Sequence, residues 1–289
     1  MPAHLTWNRY GKARIRLLKV RRPSANRPAD GPEPAVPHEI SDLTIDVQLE
    51  GAFEPVYVGG DNALCVATDT MKNTVYALAR QDPIEHVETF AIRLIDHFAR
   101  KRAVSRVTIS AAEHRWRRLW TNGTAHAHAF EQDGAERWTA AIVHDVTGTR
   151  VRSGLTDLVL LKTSDSGFSG FPRDEFTTLP DSDDRILATS VTATWEYAAG
   201  TTDFGARDRI RTAIVETFAA HDSRSVQHTL YAMAEAALQA CEDVGEITLS
   251  LPNRHHLLVD LRPFGLDNSN EIFVATDQPF GLIEATVKR

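Results

Sequence analysis

The stretch VSRVTIS, residues 104–110, recurs as VGEITLS at residues 244–250, 140 residues further along the chain. Both copies alternate apolar and polar residues, which is the period of a half-buried β-strand. Each copy is also preceded by apolar residues at helical spacing. These residues are Val87, Phe90, Leu94 and Phe98 before the first copy, and Val226, Leu230, Met233 and Ala237 before the second. The repeat predicts an internally duplicated chain.

Outward from the repeat, each half reads as strand, strand, helices, strand, strand. In the first half, residues 14–20 and 43–49 alternate in polarity and predict an antiparallel pair with one buried face. The linker between them, residues 22–37, contains five prolines and predicts an exposed loop. The order predicts an α+β fold with helices on one face of an antiparallel sheet. We expect one unit at residues 1–147 and a second at 148–289.

Three helix starts carry recognisable capping signals. Asp69 is a good N-cap residue and predicts a helix that begins near it. Asp82 is followed by a proline at the first helical position and by Glu85 three residues later, which predicts a second helix. A third helix is expected to begin near Ser223 or Ser225.

The composition excludes several classes of protein. With 289 residues, 42% hydrophobic and 25% charged, the chain has the balance of a globular protein. Its net charge of −7 argues against nucleic-acid binding, and no apolar run reaches the roughly 18 residues of a membrane span. Only two cysteines occur, Cys65 and Cys241, outside any metal-type spacing. We therefore expect a cytoplasmic protein, and the absence of a peroxisomal C-terminal tripeptide favours a bacterial source.

Several segments resemble the urate oxidase family, in the family's order and over nearly the whole chain. The loop at residues 22–37 is the one part that diverges. The segments are YGK at residues 10–12, VATDTMKNT at 66–74, HAHAF at 126–130, GFPRDEFTTL at 170–179, SVQ at 225–227 and LPNRH at 251–255.

The resemblance implies two tandem tunnelling-fold (T-fold) units per chain, which close a β-barrel on dimerisation, with two barrels stacked into a homotetramer. It further implies active sites at subunit interfaces. One chain would contribute Lys12, Thr68 and Asp69 to each site. Its neighbour would contribute Phe168, Arg185, Val226, Gln227, Asn253 and His255.

Urate is a flat purine anion, and the resemblance assigns its binding groups. Arg185 and Gln227 would grip the pyrimidine edge, because a guanidinium presents two parallel donors to a planar anion. Phe168 would lie under the ring, while Val226 and Asp69 would offer backbone N–H groups at helix starts. Each residue also has a structural explanation. Arg185 alone would balance the neighbouring aspartates, and Asp69 would simply cap a helix.

The resemblance also implies a reaction without flavin, haem or metal, in which urate and dioxygen give 5-hydroxyisourate and hydrogen peroxide. Lys12, Thr68 and His255 would form a proton relay, since a desolvated ammonium can lose a proton whereas a guanidinium cannot. Asn253 and Thr68 would hold dioxygen or water above the ring. Each relay residue also has a structural explanation when taken alone. Lys12 could be a solvated charge, Thr68 a β-branched strand residue and His255 a core histidine.

Two alternatives stay open at this point. A metal-dependent purine or pterin enzyme of the same fold would need ligands, for which His114, His126 and His128 are the candidates. No cysteine or acidic partner stands beside them at convincing spacing. The second alternative is a urate-binding protein without turnover, against which the intact Lys12, Thr68 and His255 argue.

Overall fold

The structure is a computed structural model that describes residues 3–22 and 37–289. The predicted loop at residues 22–37 therefore lies outside the described residues, apart from its two ends. The chain divides into two compact units, each described separately. The first contains Met1–Ser153 with Ala199–Phe204, and the second contains Gly154–Ala198 with Gly205–Arg289.

The first unit is built on a four-stranded antiparallel meander. Its strands are β1 (Tyr10–Arg21), β2 (Glu39–Gly51), β3 (Val104–Thr121) and β4 (Thr124–Asp145), each paired with the next. The predicted pairing of residues 14–20 with 43–49 is confirmed. Alternate residues of β2 are fully buried, which places one face of the sheet against the core.

Three helices accompany this sheet: α1 (Glu54–Gly59), α2 (Thr68–Gln81) and α3 (Val87–Ala99). α3 packs on β3 and β4, and α2 packs on β1. The apolar stripe predicted for α3 is confirmed, because its four members are at most 2% exposed. Burying such side chains contributes about 1.5–3 kcal/mol each to folding.

The helix predicted near Asp69 is confirmed as α2, which begins at Thr68, but the capping role of Asp69 and the helix start at Asp82 are wrong. Asp69 lies inside the first turn of α2, whose N-cap is Ala67, and its carboxylate accepts hydrogen bonds from the Lys72 and Asn73 side chains instead of capping. α3 begins at Val87 rather than at Asp82, which remains extended as the C-cap of α2.

The second unit repeats the order of elements. β5 (Gly148–Lys162) crosses into it and is followed by β6 (Leu187–Tyr197), α4 (Ala206–Ala220), α5 (Val226–Ala240), β7 (Val244–Leu258) and β8 (Phe273–Lys288). Strands β6, β7 and β8 pair antiparallel in sequence order. α5 packs on β7 and β8, and α4 packs on α5. The chain is therefore an α+β protein with antiparallel strands and helices. Among the described residues, no helix is long and apolar enough to cross a membrane.

Candidate active site

In the first unit, Lys12 is held on β1 by a close backbone approach. Lys12 is half-buried and lies opposite Val47 of β2, directly before a β-bulge. A Cβ on the preceding Gly11 would come 1.9 Å from the Val47 carbonyl oxygen. Only glycine is compatible with this contact, which fixes the backbone of the strand that carries Lys12.

Thr68 and Asp69 open α2, where backbone N–H groups are free for a ligand. The first helical bond runs from Met71 N to Ala67 O at 3.1 Å, so the N–H groups of Thr68 and Asp69 precede the hydrogen-bonded ladder. The pKa of Asp69 is held below its usual value by the Lys72 hydrogen bond and charge, with a smaller contribution from the charge of Lys12. Lys12 and the start of α2 therefore interact electrostatically within this unit.

In the second unit, Phe168 and Arg185 lie against one another. The Arg185 Cζ is 5.2 Å from the centroid of the Phe168 ring, within range of a cation–π interaction. One face of Phe168 stacks on Phe171, with centroids 4.8 Å apart and planes inclined by 10°. Arg185 therefore brings a positive charge to the Phe168 ring, which Phe171 holds by stacking.

Backbone hydrogen bonds join the segments that carry these two side chains. Phe168 exchanges N–H···O bonds with Ser182 at 2.7 and 3.0 Å, and Arg185 N donates to Ser166 O at 2.7 Å. A Cβ on Gly167 would lie 3.0 Å from two carbonyl oxygens, which explains a glycine there. Gly167 N donates to Ser223 O at 2.7 Å, which links the same loop to the approach to α5.

Arg185 is a half-buried cation that its neighbouring aspartates do not neutralise. Asp184 accepts hydrogen bonds from Ser164 Oγ at 2.8 Å and from Ser166 N at 3.3 Å. In the described ranges, Arg185 forms no ion pair with Asp183 or Asp184. Burial lowers the pKa of the Arg185 guanidinium, with no opposing effect from a nearby carboxylate. A desolvated cation of this kind favours an anionic ligand.

The start of α5 agrees with one of its two predicted positions. Ser225 is the N-cap, and its Oγ accepts from His228 N at 3.1 Å. Val226 is buried and Gln227 is exposed in the first turn, where N–H groups and the helix dipole favour anions.

Asn253 and His255 are half-buried near the end of β7, on either side of a register shift. Asn253 lies opposite Thr189 of β6 and Gly281 of β8. Thr189, which is not among the site residues predicted from the sequence, is 0% exposed. No hydrogen-bond partner for its Oγ1 exists within the part of the chain that the structure describes. A β-branched residue in a strand of alternating polarity is predicted to be an ordinary core residue, so nothing in the sequence indicates that Thr189 has a functional role.

The predicted site residues thus fall into two groups. Lys12, Thr68 and Asp69 are in the first unit, where the charge of Lys12 makes a small contribution to lowering the pKa of Asp69. The other six are in the second unit, where main-chain bonds link Phe168 and Arg185 to the approach to α5. These six are Phe168, Arg185, Val226, Gln227, Asn253 and His255.

The candidate metal ligands have other neighbours. His114 Nε2 is 2.8 Å from Thr44 Oγ1. The rings of His126 and His128 meet edge to face at 4.6 Å, and the His38 ring lies 5.8 Å from that of His128. The described residues contain no group of three or more His, Cys, Asp or Glu side chains arranged to hold a metal ion.

Comparison with known proteins gives a consistent result. The uricase family model matches residues 8–143 and 151–284. The uricase of Arthrobacter globiformis is 43% identical over 98% of this chain and 89% of its own length, and that of Dictyostelium discoideum is 38% identical over 99% and 98%. The crystal structure of the Arthrobacter uricase superposes with a TM-score of 0.91 at 42% identity, covering 100% of this chain and 96% of that one. Urate oxidase from Bacillus sp. TB-90, at 21% identity, shares the fold with a TM-score of 0.81 over 98% and 100% of the two chains.

Proposed function

The chain belongs to the uricase family, and we propose that it is a urate oxidase that needs no cofactor and builds each active site from two subunits. It oxidises urate with dioxygen and water to 5-hydroxyisourate and hydrogen peroxide. The observation that carries the proposal beyond family membership is Arg185, a half-buried guanidinium over Phe168 that has no carboxylate partner among the described residues.

Urate binding follows from the groups around Arg185. The guanidinium and the Gln227 amide take the pyrimidine edge, where a carbonyl lies beside a ring nitrogen. Phe168 lies against the flat face of the purine. The backbone N–H groups of Val226 and Asp69, each in the first turn of a helix, reach the edges of the anion.

The reaction draws its electrons from the substrate. Urate gives two electrons to dioxygen, which leaves as hydrogen peroxide, and a water adds to the oxidised purine as its hydroxyl group. Lys12, Thr68 and His255 move protons between the purine, the peroxide and this water. Asn253 and Thr68 hold the dioxygen, and later the water, above the ring. Lys12 is half-buried on a strand that Gly11 fixes, which suits a base that must meet Thr68.

The proposed assembly follows the same family pattern. Each chain supplies two T-fold units, residues 1–147 and 148–289, whose sheets close a β-barrel with a second subunit, and two barrels form a homotetramer. Exposed apolar side chains near the β7–β8 hairpin support association with other copies. They are Leu257, Leu258, Val274, Phe280 and Leu282. The free thiols of Cys65 and Cys241 fit a cytoplasmic location.

The first experiment measures urate loss by ultraviolet absorbance on metal-stripped protein, with hydrogen peroxide counted in parallel. We expect one peroxide per urate consumed. Urate that binds but persists would instead support a storage protein. Activity that returns only with added metal would support a metal-dependent enzyme of the same fold.

A second experiment tests the relay. Lys12→Met and Thr68→Ala should each lower kcat by about 10²–10⁴-fold, the usual contribution of a positioned base, while urate binding measured without oxygen changes far less. Lys101→Met is the matched control. Lys101 follows the end of α3, outside the proposed site, and this variant should keep wild-type turnover. Unchanged turnover in Lys12→Met would refute the relay.

A further inference from the structure

Tyr10 begins β1, two residues before Lys12, and its ring is anchored in the first unit. The ring meets Phe53 edge to face, with centroids 4.8 Å apart and planes at 90°. Phe53 is 0% exposed, so the contact belongs to the core. In the strand register Tyr10 lies opposite Leu49 and Lys12 opposite Val47. Gly11 between them allows no side chain at the Val47 carbonyl, so Tyr10 and Lys12 share one fixed piece of backbone.

The Tyr10 hydroxyl reaches across to the segment that ends in Thr68. It accepts a hydrogen bond from Val66 N at 2.8 Å. Val66 is separated from Thr68 only by Ala67, the N-cap of α2. One side chain thus connects the strand that carries Lys12 to the turn that presents Thr68.

The state of this hydroxyl favours a structural link over proton transfer. Burial raises the pKa of Tyr10 well above its usual value, and the neighbouring Cys65 raises it further. The phenol therefore stays protonated and uncharged at neutral pH, and it accepts the hydrogen bond from Val66 N.

From these contacts we infer that Tyr10 is a positioning residue, which sets the distance between Lys12 and the Thr68 hydroxyl. The inference rests on the proposed relay, because it gives Tyr10 no role except through those two groups. Proton transfer depends steeply on such distances, and a misplacement of about 1 Å can cost up to about 10²-fold in rate. Urate binding at Arg185 and Gln227 involves the other unit and depends much less on Tyr10.

The test is Tyr10→Phe, which keeps the ring on Phe53 and removes only the hydroxyl. We expect kcat to fall about tenfold while the urate dissociation constant, measured without oxygen, changes less than about threefold. Hydrogen exchange at the Val66 amide should accelerate, because that N–H loses its acceptor.

Tyr57→Phe is the matched control. Its hydroxyl donates to Arg9 O at 3.2 Å, directly before Tyr10, and does not bond to Val66. This variant should keep wild-type kcat and leave exchange at Val66 unchanged. An equal loss of kcat in both phenylalanine variants, or a collapse of Tm in Tyr10→Phe, would overturn the positioning role in favour of general stability.

A double variant separates this inference from the proposed function. If Tyr10 acts through Lys12, adding Tyr10→Phe to Lys12→Met should cause no further loss, whereas independent effects would multiply. Wild-type kcat in Tyr10→Phe with accelerated Val66 exchange would overturn the positioning role even if Lys12→Met is inactive. Full turnover in Lys12→Met would refute the relay itself.

Discussion

One polar side chain of the second unit is fully buried without a hydrogen-bond partner among the described residues, and a half-buried cation lacks an ion pair with the aspartates that precede it in sequence. Arg185 lies over Phe168 with no ion pair to Asp183 or Asp184, and Thr189 is 0% exposed with no partner for its Oγ1 among the described residues. Leaving such groups unsatisfied costs stability, and proteins accept that cost mainly where a ligand supplies the missing contact. The cost is therefore consistent with a substrate site in this unit.

Thr189→Val tests this interpretation for the hydroxyl. Valine has nearly the same shape, so removing an unsatisfied buried hydroxyl should raise the free energy of unfolding by about 1 kcal/mol. Turnover should fall, because Thr189 lies opposite Asn253, to which we assign the oxygen or water. Urea denaturation and steady-state rates measure the two effects. Thr192→Val, a half-buried position on the same strand, is the control and should move stability by less than about 0.5 kcal/mol. A less stable Thr189→Val would contradict the argument.

At the scale of elements, the apolar periodicity correctly predicted which residues of the helices and strands lie in the core. A capping signal predicted the wrong helix start where residues distant in sequence bind the predicted N-cap residue. The sequence at Asp82 reads as a helix start, yet the Lys19 ammonium donates to the carbonyls of Ala79 and Asp82, and Arg93 binds the Asp82 carboxylate. These contacts keep Asp82 extended, and α3 begins at Val87. A capping signal is read from a few neighbouring residues, so it cannot include the effect of Lys19, which lies 63 residues from Asp82 in the sequence. Ser225 has its predicted role because its own helix supplies the partner.

Substitutions at Ser225 distinguish its effect on the stability of α5, as the N-cap, from the effect of charge on urate binding. Ser225→Ala should lower the free energy of unfolding by about 1 kcal/mol, as loss of an N-cap usually does. Ser225→Asn and Ser225→Asp should both restore most of that stability. The aspartate, however, places a negative charge beside Val226 and Gln227, so urate should bind more weakly to it than to the asparagine variant. Denaturation at fixed protein concentration and anaerobic urate titration distinguish the two effects. Equal affinities would place the anion elsewhere.

At the scale of the whole molecule, the repeat of VSRVTIS and VGEITLS predicts the shared order of elements in the two halves of the chain, which the structure has. The chemistry was assigned differently, because a site for Lys12 or Arg185 depends on residues far apart in sequence. Resemblance to a family supplied those assignments, and they remain proposals. The Tyr10–Val66 hydrogen bond and the buried Thr189 hydroxyl have no sequence signal, because each depends on strand pairing and burial between residues distant in sequence.

The proposed sharing of sites between subunits makes a quantitative prediction. Lys12 lies in the first unit and Arg185 in the second, and we assign them to one site from different chains. Lys12→Met and Arg185→Gln should each be inactive alone. When the two variants are unfolded together in equal amounts and refolded, half of the sites receive an intact Lys12 and half of those an intact Arg185, so about one quarter of wild-type activity should return. Mixing the separately folded tetramers without exchange is the control and should restore none. If each chain builds its own site, every site carries one defect, and the refolded mixture stays inactive.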